Sequence, residues 1–192
     1  DLCAEHCDVY LMWPETEQKL QGLMDEMTNR ASDYERLVQF GLRVHVIVRE
    51  TEKEAQAYAN NLLSKLDLDL GKDIRKRAQD AASLGVARQA MLREEADNQH
   101  YVEPNLWTGI GLARSGCGAA IVGDPVQVLA KINRYMDMGI RSFIFSGYPH
   151  HQECELFAKY VLPHIKTVSF PEVFGRRPKK TPNSPLGNGF RK

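Results

Sequence analysis

Two polar side chains interrupt an otherwise apolar run at residues 40–48, and their types suit anion binding or proton transfer. The run predicts a β-strand, on which alternate side chains lie on the same side, so Arg43 and His45 share one face. The other face is wholly aliphatic and must pack on helices; it carries Leu42, Val44, Val46 and Val48. Because an unpaired charge inside a sheet costs several kcal/mol, Arg43 needs an anion beside it. That anion can be a carboxylate of a neighbouring strand or a bound ligand, and the pattern favours neither.

Two aromatic residues stand where predicted strands end. Trp13 closes the apolar run 9–13, and Tyr148 follows the run 140–146. Binding sites of α/β proteins lie at the carboxyl ends of their parallel strands. Tyr148 can donate or accept a hydrogen bond there, and Trp13 can line a ligand pocket. Aromatic side chains that simply cover the sheet explain both positions equally well.

A glycine-rich segment at 103–124, which carries the cation Arg114, shows little periodicity and predicts a mobile loop. Its residues 109–114 resemble a dinucleotide-binding loop, but no clear strand precedes them and no helix opens directly after them, so the required context is missing. Two interpretations remain. The segment is either a mobile lid that brings Arg114 onto an anion and excludes water, or a plain solvent-exposed loop.

Hydrophobic periodicity predicts the elements that position these residues. Strands are predicted at 9–13, 40–48 and 140–146, with amphipathic helices between and after them. Capping boxes at Thr51 and Asp124 mark two helix starts. The alternation of strands and helices predicts an α/β fold with a parallel sheet. We further predict a helical insertion and mobile lid at about 67–123, and a disordered basic tail, rich in Pro and Gly, at 167–192.

Composition argues against several classes of protein. The 25 basic and 25 acidic residues balance, which is unlike a protein that neutralises nucleic-acid phosphates. No apolar run approaches the roughly 18 residues of a membrane span and no signal peptide is visible, so we expect a cytoplasmic protein. The four cysteines are too sparse for a disulfide scaffold and are taken as reduced thiols, and no cluster of residues predicts a metal site.

Four segments, in order, resemble the alkanesulfonate monooxygenases, which are luciferase-like, reduced-flavin-dependent monooxygenases: 5–13, 40–51, 104–107 with 109–118, and 146–150. The resemblance extends from residue 1 to about residue 165. It implies a TIM (β/α)₈ barrel with an insertion and the cleavage of a carbon–sulfur bond to sulfite and an aldehyde. It also implies reduced FMN (FMNH2) as cofactor, O2 as co-substrate, an NAD(P)H-dependent flavin reductase as partner, and a homo-oligomer.

The same resemblance implies roles for the residues named above. Arg43, His45, Tyr148 and Arg114 would be catalytic, with Arg114 on the lid, and Trp13 would line the flavin pocket. The two arginines can offset the charges of sulfonate and flavin, while the histidine and tyrosine are placed for hydrogen bonding and proton transfer. Which of them acts as acid or base stays open.

Length is where the chain departs from the family. A full barrel takes roughly 250 residues, and the three predicted strands correspond to its sixth, seventh and eighth. The chain has no counterpart of the first five strands, of the Gly- and Ser-rich turn expected to hold the flavin phosphate, or of the reactive-site cysteine. It also begins at Asp1 rather than Met, as a fragment or a processed product would. Two alternatives therefore stay open: a noncatalytic partial barrel that associates with another chain through its unpaired sheet edges, and a relative that uses another reduced flavin or acts on a sulfone.

Overall fold

A mainly parallel sheet forms the centre of the computed structural model, which describes residues 1–78, 83–113, 116 and 118–168. Its strands are β1 (Val9–Met12), β2 (Gln39–Val48), β3 (Tyr101–Glu103), β4 (Leu106–Trp107), β5 (Ala120–Gly123) and β6 (Ile140–Ser146). Its helices are α1 (Leu2–His6), α2 (Glu17–Ser32), α3 (Glu52–Leu63), α4 (Leu68–Ala78), α5 (Leu84–Glu94), α6 (Ile110–Ala113), α7 (Pro125–Asp137) and α8 (His150–Tyr160), with a 3₁₀ turn at Leu162–His164. Within these described ranges, every helix is too short or too polar to cross a membrane.

The central strand of the sheet is β2. On one edge it pairs in parallel with β1, and on the other edge with β6. His45 pairs with Ala120 of β5 as well as with Ser146 of β6. Because a strand has only two edges, β5 continues the β1 side of the sheet beyond the end of β1. The antiparallel strands β4 and β3 then follow outside β5.

The predicted α/β fold and its three parallel strands are confirmed by β1, β2 and β6. The aliphatic face of β2 packs on helices as its alternation predicts. One buried cluster joins that face to α2, α7 and the end of α8, and its members include Leu20, Met24, Leu42, Val44, Val46, Val48, Val128, Ile132 and Val161. Burial of one such side chain stabilises the fold by about 1.5–3 kcal/mol.

Residues 103–124, which the sequence predicts to be a loop, contain regular structure. The structure places β4, α6 and β5 there, and all four residues of β5 are buried. A second apolar cluster joins Ile47 and Ala120 to Trp107 and to Ala55 and Ala59 of α3. Strands of two and four residues are too short to show a hydrophobic period, so their position depends on this long-range packing. The helical character predicted for the stretch after residue 67 agrees with α4 and α5.

Some predictions concern residues outside the described ranges. These residues are Arg114, its neighbours at 115 and 117, and nearly all of the predicted tail, 169–192. The interpretation of the glycine-rich segment as a mobile lid therefore stays a prediction.

A buried lysine ties three distant elements together on the helix-covered side. Lys131 of α7 is fully buried, and its Nζ lies 2.6 Å from Oε1 of Glu17 on α2 and 2.5 Å from Oε1 of Glu103 on β3. Arg134 donates from Nε to the same oxygen of Glu17 at 2.7 Å. Burial alone would raise the pKa of Glu17, but the hydrogen bonds from Lys131 and Arg134 outweigh it and hold the pKa below its ordinary value.

Candidate active site

The predicted polar pair lies on the side of the sheet away from α2 and α7. Parallel register places Leu11 opposite Gly41, Arg43 opposite Ile144 and His45 opposite Ser146. Together with Ser142, these residues form what is called here the open face: Leu11, Gly41, Arg43, His45, Ser142, Ile144 and Ser146. Leu11 and Ile144 are 46% and 47% exposed, so the two outer strands present apolar side chains to solvent. His45, by contrast, is buried, and only 3% of it is exposed.

Tyr148 is brought onto His45 by the turn that follows β6. The two rings are nearly parallel, with an interplanar angle of 8° and a centroid separation of 6.2 Å. The centroid of the His150 ring lies 4.6 Å from that of the Tyr148 ring, and its Nδ1 is 2.7 Å from the carbonyl oxygen of Gly147. The structure thus joins two residues that are 103 positions apart in sequence and that were singled out separately.

Arg43 lies on the same face as His45, two residues nearer the start of β2, and is half-buried. Within residues 1–78, 83–113, 116 and 118–168, the guanidinium makes no ion pair with a carboxylate. The neighbouring-strand carboxylate that the sequence left open is therefore absent from this part of the chain; the residue opposite is Ile144. A cation in this position can attract an anionic ligand to the open face.

Trp13 occupies a different neighbourhood. It directly follows β1, whose last residue, Met12, belongs to the helix-covered cluster. It lines a cavity of about 550 Å³ that follows the outer edge of β1 and reaches α5, where the ring approaches Gly85. Arg43, His45 and Tyr148 do not line this cavity. Of the predicted site residues, the structure brings together His45 and Tyr148, places Arg43 beside them, and sets Trp13 apart.

An ion pair beneath Tyr148 was not foreseen from the sequence. Arg49 donates to Glu153 of α8 through Nη2 to Oε1 at 2.6 Å and through Nη1 to Oε2 at 3.1 Å. The guanidinium carbon also lies 3.8 Å from the ring centroid of Tyr58. Burial raises the pKa of Tyr58, and the negative charge of Glu153 adds to this shift. Arg49 continues the 43, 45, 47 alternation of β2 and could have been noticed, whereas Tyr58 and Glu153 carry no signal in the sequence.

Among the described residues, no three His, Cys, Asp or Glu side chains are grouped so that they could hold a metal ion. The predicted site groups on this side of the sheet are the guanidinium of Arg43, the imidazole of His45 and the phenol of Tyr148. Such a set can bind an anion and exchange a proton.

Comparison with known families identifies the family to which the chain belongs. The family profile described as "Luciferase-like monooxygenase" matches residues 1–142, which include β1, β2 and the start of β6. The chain belongs to the luciferase-like monooxygenase family. The family membership implied by the sequence resemblance is thereby confirmed.

Two members of this family from bacteria are similar in sequence, and both are named sulfoquinovose monooxygenase. The protein from Agrobacterium fabrum is 56% identical over 191 residues, which cover 100% of this chain and 50% of that protein. The protein from Novosphingobium aromaticivorans is 59% identical over 165 residues, which cover 86% of this chain and 46% of that protein. This luciferase-like chain therefore spans about half the length of these relatives, and their name differs from the alkanesulfonate monooxygenase that the sequence resemblance suggested.

Solved structures of luciferase-like monooxygenases share the fold. DmoA from Hyphomicrobium sulfonivorans superposes with a TM-score of 0.60 at 18% identity, over 95% of this chain and 41% of that one. The long-chain alkane monooxygenase LadA gives a TM-score of 0.58 at 16% identity, over 94% of this chain and 40% of that one. At these identities the likeness concerns the fold alone. It confirms the prediction of a partial TIM barrel, because nearly the whole chain superposes on about two-fifths of each structure.

Proposed function

We propose that this chain is the C-terminal part of a two-component, reduced-FMN-dependent monooxygenase that cleaves the carbon–sulfur bond of an organosulfonate. The observation that carries the proposal is the stacking of Tyr148 on His45, with Arg43 on the same open face and unpaired with any described carboxylate. A sulfonate is a permanent anion, and a guanidinium binds it through two parallel hydrogen bonds. The titratable pair beside Arg43 is placed to take up and return a proton.

The open face also suits a reduced flavin by residue type. Arg43 offers a cation to an anionic group, and Trp13, which lines the separate cavity along β1, has the aromatic side chain that the sequence resemblance assigns to the flavin pocket. When bound, reduced FMN supplies the electrons that activate O2. Arg43 would then bind and orient the sulfonate, and the side chains around it would exclude water. His45 at Nε2 or Tyr148 at Oη would hold the proton. We propose an NAD(P)H-dependent flavin reductase as the partner that delivers FMNH2.

Sulfoquinovose is the first substrate that we would test, ahead of simple alkanesulfonates. Both similar proteins, at 56% and 59% identity, are named for sulfoquinovose. A sugar sulfonate and an alkanesulfonate share the anion that Arg43 would meet, so the same site serves either. Other residues must form hydrogen bonds with the hydroxyl groups of the sugar. A site that forms such hydrogen bonds discriminates strongly against a substrate that lacks the hydroxyl groups.

The test is sulfite release by the polypeptide that carries this chain, supplied with FMN, NAD(P)H, O2 and a flavin reductase. Sulfoquinovose and octanesulfonate would be compared by sulfite release. Dimethyl sulfone would be followed by release of methanesulfinate, because cleavage of one carbon–sulfur bond of a sulfone leaves a sulfinate rather than sulfite. We expect sulfite from a sulfonate, and a loss of roughly 10²–10⁴-fold in rate for His45→Gln, the range typical of an acid–base residue. Tyr34→Phe, at an exposed position on the helix-covered side, should leave the rate unchanged. Absence of sulfite from both sulfonates, with flavin reduction verified, would refute the proposal.

A second candidate function concerns association rather than catalysis. Among the described strands, β1 and β6 each pair only with β2, so each keeps one unpaired edge. A cavity of about 740 Å³ is lined by residues of β6, and the 550 Å³ cavity is lined by residues of β1. Leu11 of β1 and Ile144 of β6 are both exposed. Unpaired edges and apolar patches favour the addition of further strands. The chain by itself would then be a noncatalytic partial barrel that binds a complementary polypeptide or segment.

Sedimentation distinguishes the two candidates for the 192-residue chain. Self-association, or binding of a polypeptide that supplies the remaining strands, supports the partial barrel. Self-association would also support the homo-oligomer that the sequence resemblance implies. A compact monomer that binds FMN tightly would contradict it. Fractionation of cells that express the protein tests the predicted cytoplasmic location.

A further inference from the structure

The position of the Tyr148 ring depends on the backbone that carries it. Tyr148 lies in the turn at residues 147–149, between β6 and α8, outside the hydrogen-bond ladder of the sheet. A side chain on a turn is only as well placed as the turn itself, and catalytic geometry tolerates little displacement. Whatever fixes this turn therefore fixes the distance from Tyr148 to His45.

One support of the turn comes from α3. The hydroxyl of Tyr58 donates a hydrogen bond of 2.8 Å to the carbonyl oxygen of Tyr148, across 90 residues of sequence. Tyr58 stands in the middle of α3, which begins at the capping box of Thr51 and packs through Ala55 and Ala59 on the apolar cluster near Ile47. The donor is thus mounted on a helix that is itself anchored to β2.

The Arg49–Glu153 ion pair supports the turn from two further directions. The guanidinium of Arg49 lies 3.8 Å from the centroid of the Tyr58 ring, which restrains the ring and orients its hydroxyl. Glu153, on the first turn of α8, packs so closely on Gly147 that a Cβ there would overlap the glutamate side chain. The side chains of Arg49 and Glu153 are only 13% and 2% exposed, so solvent does not screen the pair.

We propose that Tyr58, oriented by the Arg49–Glu153 pair, is the positioning residue that holds Tyr148 against His45. Tyr58 does not touch the open face; it acts through the backbone of Tyr148. The catalytic consequence rests on the proposed function, while the geometric consequence stands on these contacts alone. The tests below separate the two.

The geometric test is nuclear magnetic resonance of the protein labelled with ¹³C in its histidine and tyrosine rings. Tyr58→Phe removes one hydroxyl and keeps the ring over Arg49. We expect the ring signals of His45 and Tyr148 to shift and broaden in Tyr58→Phe, and to stay in place in the control Tyr34→Phe. Unchanged His45 and Tyr148 signals in Tyr58→Phe would overturn the proposal, whether or not the protein releases sulfite.

The catalytic test is a double-mutant cycle on sulfite release. We expect Tyr58→Phe alone to lower kcat by roughly 5–20-fold with little change in KM, because orientation rather than substrate binding is lost. In a Tyr148→Phe background the same substitution should have almost no further effect, since the positioned hydroxyl is already gone. Equal losses of kcat in both backgrounds would show that Tyr58 acts independently of Tyr148 and would overturn the proposal.

A second variant guards against a merely structural effect. Arg49→Lys keeps the charge but cannot make two parallel hydrogen bonds to Glu153. We expect it to reproduce the His45 and Tyr148 signal shifts of Tyr58→Phe to a smaller degree, with cooperative unfolding retained. Retained cooperative unfolding with unshifted ring signals would again contradict the positioning role. If no sulfite is released but the signals shift, the positioning role stands and the proposed function fails.

Discussion

Replacement of Arg49 by methionine is the perturbation whose cost can be worked out most directly from the structure. Methionine has a similar length and fills the same space without a charge. The substitution leaves the carboxylate of Glu153, whose side chain is 2% exposed, without its two hydrogen bonds of 2.6 and 3.1 Å. Removal of one partner from a buried ion pair costs about 3–5 kcal/mol, because the remaining charge is neither solvated nor paired.

The size of the expected loss follows from the burial of the carboxylate that is left behind. We therefore expect Arg49→Met to lower the free energy of unfolding by about 3–5 kcal/mol at pH 7.

The opposite substitution, Glu153→Gln, should cost less. Arg49 is 13% exposed, keeps its 2.7 Å hydrogen bond to the carbonyl oxygen of Val48 and keeps the ring of Tyr58. We expect a loss of about 1–2 kcal/mol, the usual range for a charged hydrogen bond. The double variant Arg49→Met/Glu153→Met should be more stable than Arg49→Met alone, because neither charge is then buried.

Urea denaturation followed by tryptophan fluorescence measures all of these variants, and unchanged m-values would show that the denatured states are comparable. Arg30→Met is the control, since Arg30 is 45% exposed and pairs with exposed Glu26; its cost should stay within about 1 kcal/mol. A cost below about 1 kcal/mol for Arg49→Met at pH 7 would refute the reasoning.

Three further predictions concern other parts of the fold. The pKa of Glu17 is held below its ordinary value of 4.5, so its contribution to stability is complete above that pH and is lost as the pH falls through the lower pKa of the folded protein. In Glu17→Gln the melting temperature should therefore fall less steeply as the pH is lowered through the acid range, and an unchanged slope would contradict this. Asp124 accepts a hydrogen bond from the backbone of Gln127 at 2.9 Å, so Asp124→Ala should cost about 0.5–2 kcal/mol in urea, whereas the exposed, non-capping Asp137→Ala should cost less than about 0.5 kcal/mol. Gly147→Ala places a Cβ against Glu153 and should lower the free energy of unfolding by about 1–3 kcal/mol. A melting temperature equal to that of the parent would show that α8 shifts without cost to make room for the methyl group.

Local patterns were sufficient to predict much of the candidate site. The alternation along residues 40–48 places Arg43 and His45 on one face, because side chains of any strand alternate regardless of its partners. The capping boxes at Thr51 and Asp124 mark the starts of α3 and α7 correctly, since each involves groups only three residues apart. Each of these features depends on neighbours along the chain, so the sequence alone determined them.

The tertiary structure decided the features that join distant segments. The sequence did not predict that β5 would pair with the end of β2, that Tyr58 would reach Tyr148 across 90 residues, or that Arg49 would find Glu153 across 104. A strand of four residues has no measurable period, and an isolated tyrosine or glutamate on a helix has no preferred partner. These contacts form only after the sheet and its helices bring the segments together, and the same folding places the phenol of Tyr148 over His45.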